Sequence, residues 1–488
     1  MQNKLYKLLR NKLLRKPALL LFLIVLLGLI LRLIFFSGVG TSDDLAYSKY
    51  AIEINKGISP DSALTLSTRL GIVYATALSY RLFGINDFSS VLFPLMTSIG
   101  SIILIYYFGK LLFNEKTGLM ASFLMAFFPL DLVYSARLLS DIPSAFFMSL
   151  GVYIFLRSEM KPKNSENRMI YFLSGVSIGI GYLIRETALL ISLFFIIYIL
   201  YKRKIRKKYF FVVLGVIFIF AVESLIFLKL TGDPLFRINA SQKYLIEASL
   251  SHNFFQRLDF PIGLLAYPYM LLTNNLIFLF YIFIFIATGY IIISRKKEAY
   301  VLLFWLVPLL LYLSFGSSSL SHYIPFKATE RYLTIITVPG ILILAYFLRE
   351  RKKIMMRFIM PFALILLFFI SLYSVYLRED RDDLDNLKSL YRYIKEFDKP
   401  IYIDSRSLKA LHYISGYKNN LSLNEYPDSL SNIHNSYIVI NKDMIGKLEA
   451  ANPGIKFPKE ISKHPKAWIK VKDIGKKPSE IIVVYYAR

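Results

Sequence analysis

Cysteine is missing from all 488 residues, histidine occurs only five times and tryptophan twice. The first absence excludes disulfides, thiolate metal sites and cysteine nucleophiles. The scarcity of histidine leaves no basis for a His-rich metal site. Acid is also under-represented, with 33 Asp and Glu against 59 Lys and Arg, a net charge of +26. On a soluble surface that excess would suit nucleic acid, but here the basic residues lie between apolar runs. In that setting they orient membrane helices and meet anionic lipid, so no nucleic-acid partner is expected. What the chain has in excess is apolar: 56% of residues are hydrophobic and the mean hydropathy is +0.50. A soluble globular protein is excluded by that balance.

A membrane helix needs about 20 mostly apolar residues. Runs of this kind cover 17–36, 89–108, 117–134, 141–156, 169–184, 187–201, 209–228, 268–293, 299–315, 332–348 and 354–376. They predict a polytopic α-helical membrane protein of about eleven spans. The first run follows a basic stretch but is too long for a signal peptide and lacks a small-residue cleavage site, so it is read as a retained helix. Lys and Arg concentrate before the first run and after the fourth, sixth, eighth and tenth, which places the N-terminus and those loops in the cytoplasm. The alternate loops, among them 37–88, 135–140, 185–186, 229–267 and 316–331, then face outward. An odd span count puts the chain after Tyr376 on the same outer side.

The last part of the chain changes character. Helical spacing over 380–397 and 408–415 alternates with strand-like stretches at 400–404, 437–441, 468–472 and 481–486. That alternation predicts a small extracytoplasmic α/β domain over 377–488, separate from a membrane domain over 1–376. No Gly-rich phosphate loop occurs in it.

Chemistry-bearing residues gather in the outward loops. Thr41-Ser42-Asp43-Asp44-Leu45-Ala46-Tyr47 follows the first span. Ser42 or Asp43 there suits a helix cap, with acids at the positive helix end. Two carboxylates held together also repel, so one gains proton affinity and can serve as a general base. A further acid, Asp141, stands before Ile142-Pro143, where Pro suits a helix start. Arg137, Arg185, Glu186, Lys327, Glu330, Arg331 and Tyr332 all fall at outer span ends. Singly each reads as a snorkelling residue; together they suggest a bowl for an anionic substrate. Glu223 lies inside a span, where pairing with Arg32 or Lys229 is the plain expectation.

The order of these motifs resembles a known family. Asp43-Asp44-x-x-Tyr47-x-x-x-Ala51, then Arg69-Leu70-Gly71, Leu82-Phe83-Gly84 and Ser140-Asp141-Ile142-Pro143 look like the C superfamily of membrane glycosyltransferases. The branch is that of dolichyl-phosphate-mannose protein mannosyltransferases and lipid A aminoarabinose transferases. The likeness spans roughly residues 17–350. It implies transfer of a sugar from a polyprenyl-phosphate carrier to a hydroxyl of a lipid, glycan or protein acceptor, with inversion, on the outer face of the cell membrane. It assigns the base to Asp43, with Asp44 where a Glu is common, and an orienting role to Asp141. It also sets Glu330-Arg331-Tyr332 at the lipid phosphate. Arg137, Arg185 and Lys327 are lesser candidates there, and Tyr47, Arg69 and Glu186 belong to the substrate-binding set. The acids could hold Mg²⁺ or Mn²⁺, but the resemblance implies no obligatory ion.

Two rival classes use the same composition. A transporter or flippase would place its binding groups near the midplane in broken helices, often in repeated halves. A scaffold would leave the three outer acids unexplained.

Overall fold

The computed structural model describes residues 16–58, 65–160, 167–250, 265–317, 328–350, 354–378, 384–418, 421–451, 454–475 and 481–488. The chain is mostly helical. In order it forms α1 (Pro17–Ile34), α2 (Asp43–Asn55), α3 (Leu70–Phe83), α4 (Asp87–Leu112), α5 (Glu115–Ala126), α6 (Pro129–Ser135), α7 (Asp141–Glu159) and α8 (Arg168–Ile184). There follow α9 (Ser192–Lys202), α10 (Phe210–Thr231), α11 (Phe236–Leu250), α12 (Ala266–Thr273), α13 (Phe278–Ile293), α14 (Tyr300–Phe315), α15 (Thr334–Glu350) and α16 (Ile354–Tyr376). Each apolar run expected to span is helical. By length and hydropathy, five helices among the described residues qualify as crossings, and seven when each bent pair counts as one.

The bends have local causes. Pro129 opens α6 after Phe128, and a residue before proline is driven to extended backbone, so the α5–α6 pair turns by 56°. At Asn274 the chain leaves the helix and its side chain accepts from the Leu276 N–H, giving a 110° turn between α12 and α13. Elsewhere small residues allow close crossings. A Cβ on Gly175 of α8 would lie 1.9 Å from the Val212 carbonyl oxygen of α10, and one on Gly215 would lie 2.2 Å from the Phe172 oxygen. Larger residues would separate these helices and lose the contact that drives association in lipid.

Charge inside the bundle is paired. Arg32 on α1 is fully buried and donates to Asp131 Oδ2 at 2.5 Å, Ser98 Oγ at 2.6 Å and the carbonyl oxygens of Gly28 and Ala126 at 2.9 and 3.0 Å. Its partner is thus Asp131 of α6, not Glu223. α15 runs through the middle, buried along most of its length.

Beyond α16 come α17 (Asp385–Ile394), β1 (Ile401–Ile403), α18 (Ser405–Ile414), β2 (Leu423–Glu425), β3 (Ser436–Asn441), α19 (Lys442–Ala451), β4 (Trp468–Ile474) and β5 (Ile482–Ala487). The sheet order is β2-β1-β3-β5-β4, with β1 parallel to both neighbours and the β3–β5 and β4–β5 pairs antiparallel. Leu387, Leu390 and Leu411 of this part share one apolar core with Leu45, Tyr50 and Ile52 of α2 and Val73 and Ala77 of α3. The C-terminal sheet therefore packs on the same end of the bundle as the loop after α1.

Candidate active site

The site forms where α2 meets one end of the bundle. Ser42 Oγ accepts the Asp43 N–H at 2.6 Å and so caps α2, which sets Asp43 and Asp44 in its first turn. Consecutive residues on a helix diverge, and the two acids meet different surroundings. Asp43 points to the turn Glu330–Leu333, where its Oδ2 accepts from Arg331 Nη1 at 2.8 Å, each side chain being 26% exposed. Partial burial alone would raise the Asp43 carboxyl, but Arg331, with Arg69 and Arg185 beyond it, outweighs burial and holds it below the usual carboxylate range.

Asp44 turns inward and is buried. Its Oδ2 accepts the Leu138 N–H at 3.1 Å, and Gly40 is wedged beside it, so close that a Cβ there would lie 2.9 Å from Arg137 Nη2 and 3.3 Å from Asp44 Oδ1. Burial pushes Asp44 up to about 6 against the pull of Arg137 and the Gly40 N–H, and the Asp43 charge adds to the rise. One of the two acids does gain proton affinity, through desolvation more than mutual repulsion, but it is the buried Asp44 and not Asp43, the expected base. Asp44 ties the first loop to the second, and Asp43 alone faces the open side.

Asp141 opens α7 and its Oδ1 accepts from Arg185 Nη1 at 2.6 Å, while its Oδ2 is buried with no hydrogen-bond partner among the described residues. Arg185 also lies over the Tyr332 ring at 4.8 Å and donates to Ser140 Oγ at 3.4 Å. Ser140 is 3.2 Å from the hydroxyl of Tyr47, which accepts from Arg69 Nη1 at 2.6 Å. Arg69 in turn holds Glu186 Oε2 at 3.1 Å. Asp43, Asp141, Tyr47, Arg69, Arg185, Glu186, Arg331 and Tyr332 are thus one connected cluster. Glu330 borders it, accepting from Tyr134 OH at 2.8 Å and Arg378 Nη2 at 3.2 Å. Arg137 approaches through Asp44 instead. Lys327 lies outside the described residues.

The acids and arginines expected together pair with one another: Arg331, Arg185, Arg69 and Arg378 each face a carboxylate. One expectation changes. Glu223 pairs with neither Arg32 nor Lys229 but with Arg237 at 2.6 Å, and Arg237 also holds Glu186 at 2.7 Å. Arg69 and Arg237 keep Glu186 well below the ordinary range despite its burial. Arg237, Arg378 and Asp131 were missed. Arg378 carried the signal that marked Arg331, a basic residue just beyond a span end, whereas Arg237 stands farther on, within α11.

α3 carries Arg69 at its N-terminal boundary and exposes Tyr74, Leu78, Leu82 and Phe83 along one side. That stripe suits a helix at a lipid interface.

Comparison with known proteins bears on the family and the fold. The family model described as dolichyl-phosphate-mannose-protein mannosyltransferase matches residues 70–227. The fold is similar to ArnT from Cupriavidus metallidurans in the apo state, with TM-score 0.60, 12% identity, and 95% of this chain and 97% of that chain covered. It is similar also to the same protein bound to undecaprenyl phosphate, with TM-score 0.55, 12% identity and the same coverage, 95% and 97%. The Archaeoglobus fulgidus oligosaccharyltransferase in the apo form gives TM-score 0.58 at 13% identity, covering 97% of this chain and 74% of that one. No protein of curated function matches. The family model thus matches the expected family over residues 70–227, and the solved structures share the fold over most of the chain.

Proposed function

We propose that the chain is a multi-pass membrane glycosyltransferase that moves a sugar from a polyprenyl-phosphate carrier to a hydroxyl of a lipid, glycan or protein acceptor, with inversion, on the extracytoplasmic face. The observation that carries this reading is the Asp43–Arg331 pair: a carboxylate and a guanidinium in contact, partly open, at helix ends beside an interfacial helix. A lipid phosphate has its head group at that depth and its tail among the helices. In this proposal about eleven spans carry the site over residues 1–376, and 377–488 form an extracytoplasmic α/β domain.

The chemistry balances as one displacement. The acceptor oxygen attacks the anomeric carbon as the bond from that carbon to the phosphate oxygen breaks, and the electron pair leaves with the polyprenyl phosphate. The acceptor proton passes to Asp43. Charge grows on the departing phosphate, and Arg331 is the group placed to meet it, because its planar fork gives directed bonds to phosphate oxygens. Arg331 is held by Asp43 before donor arrives. A donor phosphate that draws Arg331 away removes the charge that depresses Asp43, so donor binding itself makes the base more basic. Asp141, fixed by Arg185, orients the sugar or the acceptor.

Among the described residues no three His, Asp or Glu side chains come together as metal ligands, and no ion enters the proposal. The clustered charges gather at one end of the bundle, unlike the midplane site a transporter uses. The test is a panel of radiolabelled polyprenyl-phosphate sugars offered to the purified protein. Release or transfer of label from one of them supports the reading, and none from any donor by folded protein rejects it.

A further inference from the structure

Asp87 is an acid that the site above does not use. It opens α4, but the helix is already capped by Asn86, whose Oδ1 accepts the Ser89 N–H at 2.9 Å. The Asp87 carboxylate instead reaches two other parts of the chain. Its Oδ2 accepts from Lys388 Nζ at 2.7 Å, and its Oδ1 accepts from Tyr413 OH at 2.9 Å and from the Val39 backbone N–H at 3.4 Å. Lys388 and Tyr413 belong to α17 and α18; Val39 lies in the loop that enters α2.

That loop is pressed onto the carboxylate. Gly38 has φ +75°, and a Cβ there would lie 2.8 Å from Asp87 Cγ, so both its backbone conformation and the contact call for glycine. Four residues later Ser42 caps α2 and Asp43 begins it. A second set of bonds holds the next turn of α2. Ser48 Oγ accepts from Tyr80 OH at 2.8 Å and Tyr417 OH at 3.1 Å. Ser90 Oγ is 2.8 Å from Tyr80 OH and 3.0 Å from Tyr413 OH, which closes a chain back to Asp87. The C-terminal α/β part thus grips α2 at its entry and at its second turn, around a shared apolar core.

Resting on the transferase reading, we propose that Asp87 is a positioning residue: with Lys388 and Tyr413 it fixes the loop 38–42, so that the C-terminal part holds Asp43 in line for attack. The effect belongs to kcat, since the donor's own contacts lie elsewhere.

The experiment uses the full-length protein with Asp87→Ala, Asp87→Glu, Tyr413→Phe and Lys388→Met. In Asp87→Ala, kcat with the accepted polyprenyl-phosphate sugar is expected to fall roughly tenfold, since small misplacements of reacting groups are costly, while the donor KM stays within about twofold. Asp87→Glu recovers part of the loss, and the two milder variants each lose about threefold, which keeps the test open if Asp87→Ala folds poorly. A second readout needs no substrate. The chain has no cysteine, so spin labels at Lys49→Cys on α2 and Lys409→Cys on α18 report their separation directly. A narrow distance distribution that broadens in Asp87→Ala supports positioning. Unchanged kcat in a folded variant overturns it, as does a loss of kcat with an equal rise in KM and no broadening. Broadening in a protein that turns over no donor keeps the positioning role and rejects the transferase reading instead.

Discussion

Arg331 Nη1 lies 2.8 Å from Asp43 Oδ2, although 288 residues separate them. The contact ties the loop after α1 to the turn before α15 and joins the proposed base to the cation that lowers its proton affinity. Removing Arg331 should therefore do two things. Arg331→Ala is expected to raise the donor KM by about tenfold or more, for loss of a charge-assisted contact, and to raise the proton affinity of Asp43. Arg331→Lys should restore the second effect better than the first, because an ammonium supplies charge without the planar fork. Steady-state kinetics across pH check both, and donor kinetics unchanged in Arg331→Ala would remove it from the site.

Asp44 gives a pH signature in stability. Its folded proton affinity, near pH 6, lies above the ordinary value of 3.8. Between those two limits the folded chain binds a proton that the unfolded chain does not, so this group's contribution to stability falls as pH rises from about 4 to about 6. Thermal unfolding in detergent should show wild type losing stability across that window relative to Asp44→Asn. Asp43 has the opposite sign: its depressed value contributes stability above the ordinary carboxylate range, and that contribution is lost as pH falls below it. Parallel curves for wild type and Asp44→Asn would contradict the buried, titrating Asp44.

The Arg32–Asp131 pair tests the bundle without touching the proposed chemistry. Both side chains are buried, so Arg32→Leu alone strands a carboxylate and should cost about 3–5 kcal/mol. The double change, Arg32→Leu with Asp131→Leu, should cost less than either single change, because it leaves no unpaired charge. Unfolding midpoints of the four proteins decide this, and additive losses would argue against direct pairing.

Arg237, in the first turn of α11, links that helix to Glu223 of α10 and to Glu186. Arg237→Met should release Glu186, which Arg237 and Arg69 together keep depressed, and weaken Arg69's hold on Tyr47. Loss of activity in Arg237→Met that Glu186→Gln partly relieves would show the coupling. Equal, additive losses would place the two residues in separate roles.

The helices were legible because each apolar run is long and bounded by charge or proline, a local property. Strand β2 was not, since Leu423-Asn424-Glu425 is short and polar and is held by pairing with β1. Helix α19 was missed too, its Lys442–Ala451 segment being short and with few apolar residues to set a period. The acids and arginines of the site were legible as residue types at outer span ends, but their pairing was not. Glu223 was matched to Arg32 or Lys229, whereas its partner Arg237 stands in the first turn of the next helix, α11, 14 residues on. The grip of α17 and α18 on α2 was invisible for a similar reason. Their apolar faces show in the sequence, but nothing local says that Leu387 and Leu411 meet Leu45 and Ile52.

The most direct test is turnover of the matched radiolabelled polyprenyl-phosphate sugar by purified wild type and by Asp43→Asn at equal amounts of folded, donor-binding protein. The account predicts transfer by wild type and a loss of at least about a hundredfold in Asp43→Asn, the scale of general base catalysis. Equal turnover by the two proteins would contradict it.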